Sequence, residues 1–383
     1  MKLLPLRASS TDSGAAVLIA AISGRALAES ARRSGYVPLV ADFFGDQDTL
    51  NVAGAHVRLD SALAHGIEES ALVHALERLS EQRQPLGVVC GTGFEGRTQI
   101  LRRLAERWRV FGNSAAIVAK VKNPAVLFSV CAELAIPFPD WSLVRPRAPA
   151  EWLAKRRGGA GGTHVNPAQQ SDGADDEIYY QRKTSGTPVS ALFLADGERA
   201  TVLGFSVQWS SPTPRQPYRY GGAVRPATLA PTITEQLSAA VDRLAASLSL
   251  VGLNSADFLV AGDRFWLLEI NPRPGATLDI FEPPEGSLFA LHMAACCRKL
   301  GRPPRYPDGA QASAIVYAEN DIHSVPVLDW PDWTADRPVA GSMIKAGQPL
   351  CTVYANGSAA TAAKAIADQR REMVLAWTSG RNS

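Results

Sequence analysis

Two apolar arms joined by a short polar turn constrain this chain more than any other feature: Asp257-Phe258-Leu259-Val260, then Phe265-Trp266-Leu267-Leu268-Glu269-Ile270-Asn271-Pro272-Arg273-Pro274. Both arms have the composition of paired strands, and Gly262-Asp263 between them signals a hairpin. Glu269 and Asn271 lie two residues apart, so their side chains share one sheet face. A three-residue loop, Gly262 to Arg264, sets Asp257 directly opposite Glu269, whereas a two-residue loop turns Asp257 to the other face. Two carboxylates and a carboxamide converging on a buried hairpin cost free energy unless a cation compensates. Magnesium suits this donor set, because it takes oxygen ligands and commonly bridges carboxylates to substrate phosphates. One or two such ions fit, and Mn²⁺ is accepted by the same kind of donors. Pro272 and Pro274 stiffen the exit, and Arg273 stands where phosphate or a developing oxyanion would be met. A plain edge hairpin facing water explains a lone Glu-x-Asn better, but not the whole string.

The rest of the chain reads as several units. In 383 residues, 39 basic side chains nearly balance 37 acidic ones. No global field therefore argues for nucleic acid or a membrane surface. The first apolar run, Ala15 to Ile22, is too short to span a bilayer, and Lys2 and Arg7 make only a faint basic start. Five cysteines without Cys-x-x-Cys spacing and six scattered histidines suit a reducing, cytoplasmic setting and do not indicate zinc. Alternating apolar strands and amphipathic helices from Val17 to Trp108 predict a parallel α/β domain over residues 1–115. A smaller module over 116–185 holds a helix from Pro124, short strands at Trp141 and Trp152, and a polar stretch, Asn166 to Glu177, expected to be mobile. Residues 186–300 carry apolar strands and a helix from about Ile233 to Leu248. Residues 301–383 turn proline-rich, then β-like, and close on a helix from Ala359 to Trp377.

Lys155, at the end of Trp152-Leu153-Ala154-Lys155, precedes Gly158-Gly159-Ala160-Gly161-Gly162. Such a loop lets backbone N–H groups approach phosphate and can close as a lid. On its own it is also compatible with a linker. Followed in order by Tyr179-Tyr180-Gln181-Arg182, Gly186, Ser190, Asp257 and Glu269-Ile270-Asn271-Pro272-Arg273, it resembles the ATP-grasp superfamily, over about residues 15–300. The Tyr220-Gly221-Gly222 segment and the tail Asp336-Arg337-Pro338 through Thr352-Val353 are similar to poorly characterised branches, some associated with one-carbon cofactor pathways.

The resemblance implies an α/β and α+β fold: a Rossmann-like domain before an ATP-grasp pair of subdomains, with a small β-rich C-terminal part. It implies ATP as cofactor, with Asp257, Glu269 and Asn271 holding magnesium. Lys122, Lys155, Gly159, Gly161, Gly162, Gln181 and Arg182 would contact nucleotide, and Lys155 and Arg273 would serve catalysis. The implied reaction is carboxylate–amine ligation through an acyl phosphate, with small-molecule acid and amine as partners; glutamate and a pterin or furan cofactor are candidate substrates. A homodimer stays open. ATP-dependent carboxylation is an alternative, because the tail is similar to the β-domain of biotin-dependent carboxylases. A nucleotide-binding regulatory protein is another, because Lys122-Asn123-Pro124 and Gln181-Arg182 depart from the family pattern.

Several motifs carry rival readings. Gly91-Thr92-Gly93-Phe94-Glu95-Gly96 has dinucleotide spacing, but it comes late in its domain and lacks the ribose-binding acid downstream. It is read as a turn facing the cleft, where Glu95 could contact an amine but is better read as solvated or structural. Ser23-Gly24-Arg25 either meets an acidic substrate at a helix N-terminus or turns the chain. His164 is either a phosphate contact or a solvent-facing loop residue. Cys90 and Cys296-Cys297 are read as inert thiols.

Overall fold

The computed structural model describes residues 13–60, 65–171 and 175–378. Lys2 and Arg7, and three residues of the polar stretch between Asn166 and Glu177, lie outside them.

The opening apolar run becomes β1 (Ala16–Ala20), followed by α1 (Arg25–Arg33), β2 (Val37–Asp42), α2 (Gln47–Val52) and β3 (Ala55–Arg58). The domain continues through α3 (Glu69–Gln82), β4 (Pro85–Cys90), α4 (Thr98–Ala105) and β5 (Val110–Phe111). All five strands run parallel in the order β3-β2-β1-β4-β5. β1 and β2 are buried along their whole length because helices cover both faces, which is why they read as unbroken apolar runs. The strand order changes direction between β1 and β4, so the crevice at their carboxyl ends is where this architecture receives ligands.

Two helices, α5 (Ala115–Lys122) and α6 (Pro124–Glu133), meet at Asn123, whose side chain caps α6 by accepting from Ala125 N–H. Pro124 at the first helical position needs no backbone partner there. Beyond them lies a small antiparallel sheet of β6 (Trp141–Ser142), β7 (Trp152–Arg156), β8 (Val165–Pro167) and β9 (Ile178–Arg182), in the order β6-β9-β7-β8.

The remaining strands make one eight-stranded sheet. They are β10 (Thr187–Asp196), β11 (Ala200–Ser210), β12 (Tyr220–Arg225), β13 (Val251–Ala261), β14 (Arg264–Asn271), β15 (Ala310–Tyr317), β16 (Thr334–Ala335) and β17 (Pro349–Gly357). Their order is β14-β13-β10-β11-β12-β15-β17-β16, so the C-terminal strands extend the sheet that carries the acidic hairpin. Helix α7 (Pro231–Leu248) covers one face, burying Ile233, Leu237, Val241, Leu244 and Leu248 against Val189, Ala191 and Phe193 of β10. At roughly 1.5–3 kcal/mol for each large apolar side chain, that stripe anchors the sheet. The opposite face meets the N-terminal domain through α8 (Leu278–Phe281) and α9 (Leu288–Cys296), in a core that includes Val17, Leu27, Leu192, Leu253 and Phe289. Helix α10 (Ala360–Thr378) packs on β15 and β17. Among the described residues no single helix is long and apolar enough to cross a membrane.

Candidate active site

The acidic hairpin closes with a two-residue loop, since Ala261 pairs with Arg264. Regular pairing would then turn Asp257 away from Glu269. A bulge between Asp257 and Phe258 prevents this: Phe258 pairs with Leu267, Asp257 pairs with Glu269, and Leu268 is the extra residue. Asp257 and Glu269 therefore face each other although the loop is the shorter of the two considered. Asn271 Nδ2 donates to Asp257 Oδ2 at 3.0 Å, and Ser190 Oγ on the neighbouring strand donates to Asp257 Oδ1 at 2.6 Å.

Lys122 reaches this cluster from the end of α5, with its Nζ 3.2 Å from Glu269 Oε2 and 2.9 Å from Asn271 Oδ1. A lysine cation thus touches two of the three side chains expected to hold metal. Burial alone would raise both acids. At Glu269, Lys122, His164 and Lys155 outweigh burial and hold the carboxyl down at about 2. At Asp257, burial and the Glu269 charge raise the carboxyl to about 6, against Ser190 and Lys122. The two facing acids thus differ: one is kept anionic by the cations around it, and the other is pushed up by burial and its neighbour's charge. Among the described residues no three His, Cys, Asp or Glu side chains gather into a metal site. The set is two carboxylates and an amide oxygen, all hard donors, and it fits a divalent ion whose remaining ligands are phosphate and water.

Lys155 is buried on β7 and donates to Gln181 Oε1 at 2.6 Å, while Gln181 Nε2 has no partner among the described residues. Burial lowers the Lys155 pKa, opposed by Glu269 and Asp257. Arg182, one residue on, points the other way; it is exposed and paired with Asp140 and Glu151. Alternation along β9 thus separates the two residues that the sequence reading placed together. His164 is half-buried, desolvation lowers its pKa, and it influences Glu269. Of its two readings, the solvent-facing one does not describe it.

The glycine loop folds back onto the protein. Gly158 has φ +65°, and a Cβ there would lie 2.4 Å from the Gly96 backbone. Gly162 has φ +71°, and its Cβ would lie 1.9 Å from the Tyr218 carbonyl. Only glycine meets both demands. Gly159 lies against the His164 ring, whereas Gly161 has open space around it and its carbonyl accepts from Tyr220 N–H at 2.9 Å. Lys122, Leu127, Phe128, Gly158, Gly159, His164, Tyr179, Leu268 and Glu269 line a cleft of about 330 Å³ between α5–α6, the lid sheet and the hairpin.

Arg273 leaves this cleft for the N-terminal domain, where its Nε donates to Glu95 Oε1 at 2.7 Å. Glu95 Oε2 accepts from the N–H groups of Gly93 and Phe94. Burial would raise the Glu95 carboxyl, but Arg273, Lys122 and the Gly93 N–H hold it below its usual range. Glu95 is thus structural rather than solvated, and it aims the guanidinium. A second cleft, about 390 Å³, opens beside the pair, lined by Cys90, Phe94, Asn113, Pro272 and His292 among others. The sequence reading missed the Glu95–Arg273 pair, since only the β4 turn brings together residues so distant in the chain.

A family model described as "ATP-grasp domain" matches residues 126–277, which span the lid sheet, α7 and the acidic hairpin. This chain contains an ATP-grasp domain. Around it, the whole chain has an α/β ATP-grasp fold with a parallel N-terminal domain and a β-rich C-terminal part. The carbamoyl phosphate synthase large chain of Rubrobacter xylanophilus is 24% identical over 232 residues, covering 51% of this chain and 21% of that protein. That of Deinococcus radiodurans is 24% identical over 224 residues, covering 52% and 22%. The match thus spans about a fifth of the length of these relatives. Biotin carboxylase from Campylobacter jejuni superposes with a TM-score of 0.71 at 15% identity, covering 94% of this chain and 91% of that one. The biotin carboxylase domain of Hydrogenobacter thermophilus 2-oxoglutarate carboxylase gives 0.70 at 11% identity, covering 90% and 86%. N5-carboxyaminoimidazole ribonucleotide synthetase gives 0.67 at 16% identity, covering 95% and 97%. The proteins named in these comparisons are carboxylases and synthetases, and none of them is named as a one-carbon cofactor ligase.

Proposed function

We propose that this chain uses ATP with Mg²⁺ to phosphorylate a carboxylate, bicarbonate included, and passes the activated acyl group to a nitrogen nucleophile. The observation that carries the reading is the convergence of Asp257, Glu269 and Asn271 beside Lys122, Lys155 and a seated glycine loop. Lys122 and Lys155 would hold phosphate oxygens, and the backbone of Gly158 to Gly162 would cover them. Bound Mg²⁺ would neutralise charge on the β- and γ-phosphates. A carboxylate oxygen attacks the γ-phosphorus, the bond to the β-phosphate oxygen breaks, and ADP leaves. Arg273, aimed by Glu95, would steady the acyl phosphate. The nitrogen lone pair then attacks the acyl carbon, phosphate departs with its electron pair, and the nitrogen gives up a proton. The protein's share is positioning and charge stabilisation.

The relatives favour bicarbonate as the carboxylate, since the Campylobacter and Hydrogenobacter proteins are named as carboxylases and the latter structure contains bicarbonate. Amide formation with an organic acid, in one-carbon cofactor assembly or elsewhere, is the second reading, supported by the order of motifs from Lys155 to Arg273. In either case the chain acts on small molecules, with no nucleic acid or membrane partner. The balanced charge supports this, and the five free thiols support a cytoplasmic setting. A homodimer is compatible with it. The deciding experiment measures ADP formation with bicarbonate and with organic acids, each with and without amines, and identifies products by mass. ADP formation under none of these conditions sinks the proposal.

A further inference from the structure

One cation beside the acidic hairpin has no carboxylate of its own. In the small sheet, register pairs Leu153 with Gln181 and Lys155 with Tyr179, so Lys155 and Gln181 share a side, as the hydrogen bond between them requires. The pairing runs one residue past β7, since the Arg157 N–H donates to the Glu177 carbonyl at 2.8 Å. Alternation then brings Arg157 to the side of Lys155 and turns Arg156 to the other, where it is exposed and paired with Asp175. Arg157 lines the cleft with Lys122, His164 and Glu269.

The other cations of the site are engaged. Lys122 meets Glu269 and Asn271, Lys155 meets Gln181, and Arg273 meets Glu95. Among the described residues no carboxylate pairs with Arg157, and its buried Nε has no hydrogen-bond partner. Gln181 Nε2, on the same side of the sheet, is buried in the same unpartnered state. Buried donors without acceptors cost free energy, and an anion that takes them recovers it. Position singles out Arg157 further. Gly158, which follows it, is held at φ +65° against the Gly96 backbone, next to Glu95. Arg157 thus stands at the end of the strand nearest the Glu95–Arg273 pair. Gln181 lies opposite Leu153 and beside Trp141, roughly 13 Å back along the strand.

We infer that Arg157 binds the terminal phosphate of the nucleotide from the lid strand. The inference rests on the reading of the chain as an ATP-dependent enzyme, and it adds a contact that the two lysines and the glycine backbone do not supply. A guanidinium suits this place because its planar fork takes two oxygens of one phosphoryl group at once. Its place beside Glu95 and Arg273 is also where a phosphoryl group leaving ATP for a carboxylate has to arrive.

The test is calorimetric titration of the full chain with AMP, MgADP and the Mg²⁺ complex of β,γ-imido-ATP, in the parent, Arg157→Gln and Arg157→Lys. Arg157→Gln should weaken the triphosphate by about tenfold to a hundredfold, weaken MgADP less, and leave AMP unchanged. Arg157→Lys keeps the charge without the fork and should recover part of the loss. Arg157 is half-buried and unpaired, so both variants should fold with a Tm within about 2 °C of the parent's. Equal weakening of AMP and the triphosphate overturns the inference, and so does parental triphosphate affinity in Arg157→Gln. Either result leaves the enzyme reading standing, whereas a parent that binds no nucleotide overturns both.

Discussion

Asp257 and Glu269 face one another across a hairpin because Leu268 is left out of the ladder between them. That single bulge puts two carboxylates on the side of the sheet where Lys122 and Lys155 arrive.

Glu269→Ala removes the acid of the facing pair that is held anionic. Losing the metal's contribution, several kcal/mol of charge stabilisation, should cut turnover by about 10³-fold or more. ADP release at saturating ATP measures it, and full activity in this variant rejects the metal assignment.

Glu95→Gln leaves the mostly buried Arg273 beside a neutral partner. Breaking a buried ion pair from one side costs about 3 kcal/mol, so urea unfolding should show a loss of that order. The rate should fall as well, because Arg273 loses its aim. A stability equal to the parent's would mean the pair contributes nothing.

Gly162→Ala places a Cβ against the Tyr218 carbonyl at a φ that L residues rarely adopt. The lid should then fail to seat, raising KM for ATP about tenfold or more while thermal stability, set by the sheet cores, changes little. An unaltered KM would show that this seating is not part of nucleotide binding.

His292 makes stability pH-dependent. Its Nδ1 accepts from Leu253 N–H at 2.9 Å, so Nε2 carries the proton and donates to the Phe111 carbonyl at 3.1 Å. Burial lowers its pKa to about 4. Below the ordinary histidine pKa of about 6.5 the unfolded chain takes up a proton that the folded chain refuses. Stability should be full above that value, fall as pH drops, and level off below about 4, with a total loss of up to about 3 kcal/mol. Urea midpoints from pH 7.5 to 4 in the parent and in His292→Gln check this, and equal slopes in the two would exclude His292 as the cause.

Local pattern carried much of this architecture. The apolar runs of β1 and β2, the stripe of α7 and the period of β14 each depend on neighbours in sequence, so they were legible without coordinates. The shared face of Glu269 and Asn271 followed from a spacing of two. Whether Asp257 joined them was open, because loop length alone does not fix register when a bulge adds a residue.

The sequence by itself determined the chemistry on offer: two acids and an amide on one hairpin, a lysine before a glycine loop, and an ATP-grasp order of motifs. Tertiary structure alone decided which groups meet. It turned Gln181 inward and Arg182 outward, drew His164 toward Glu269, gave Arg273 to Glu95, and closed Arg25 between Asp279 and Asp336. The reason is physical. Periodicity reports which face a residue takes within its own element. Partners separated by a hundred residues or more are chosen by how whole sheets and helices pack, and the desolvation of charge then admits only the pairings that geometry allows.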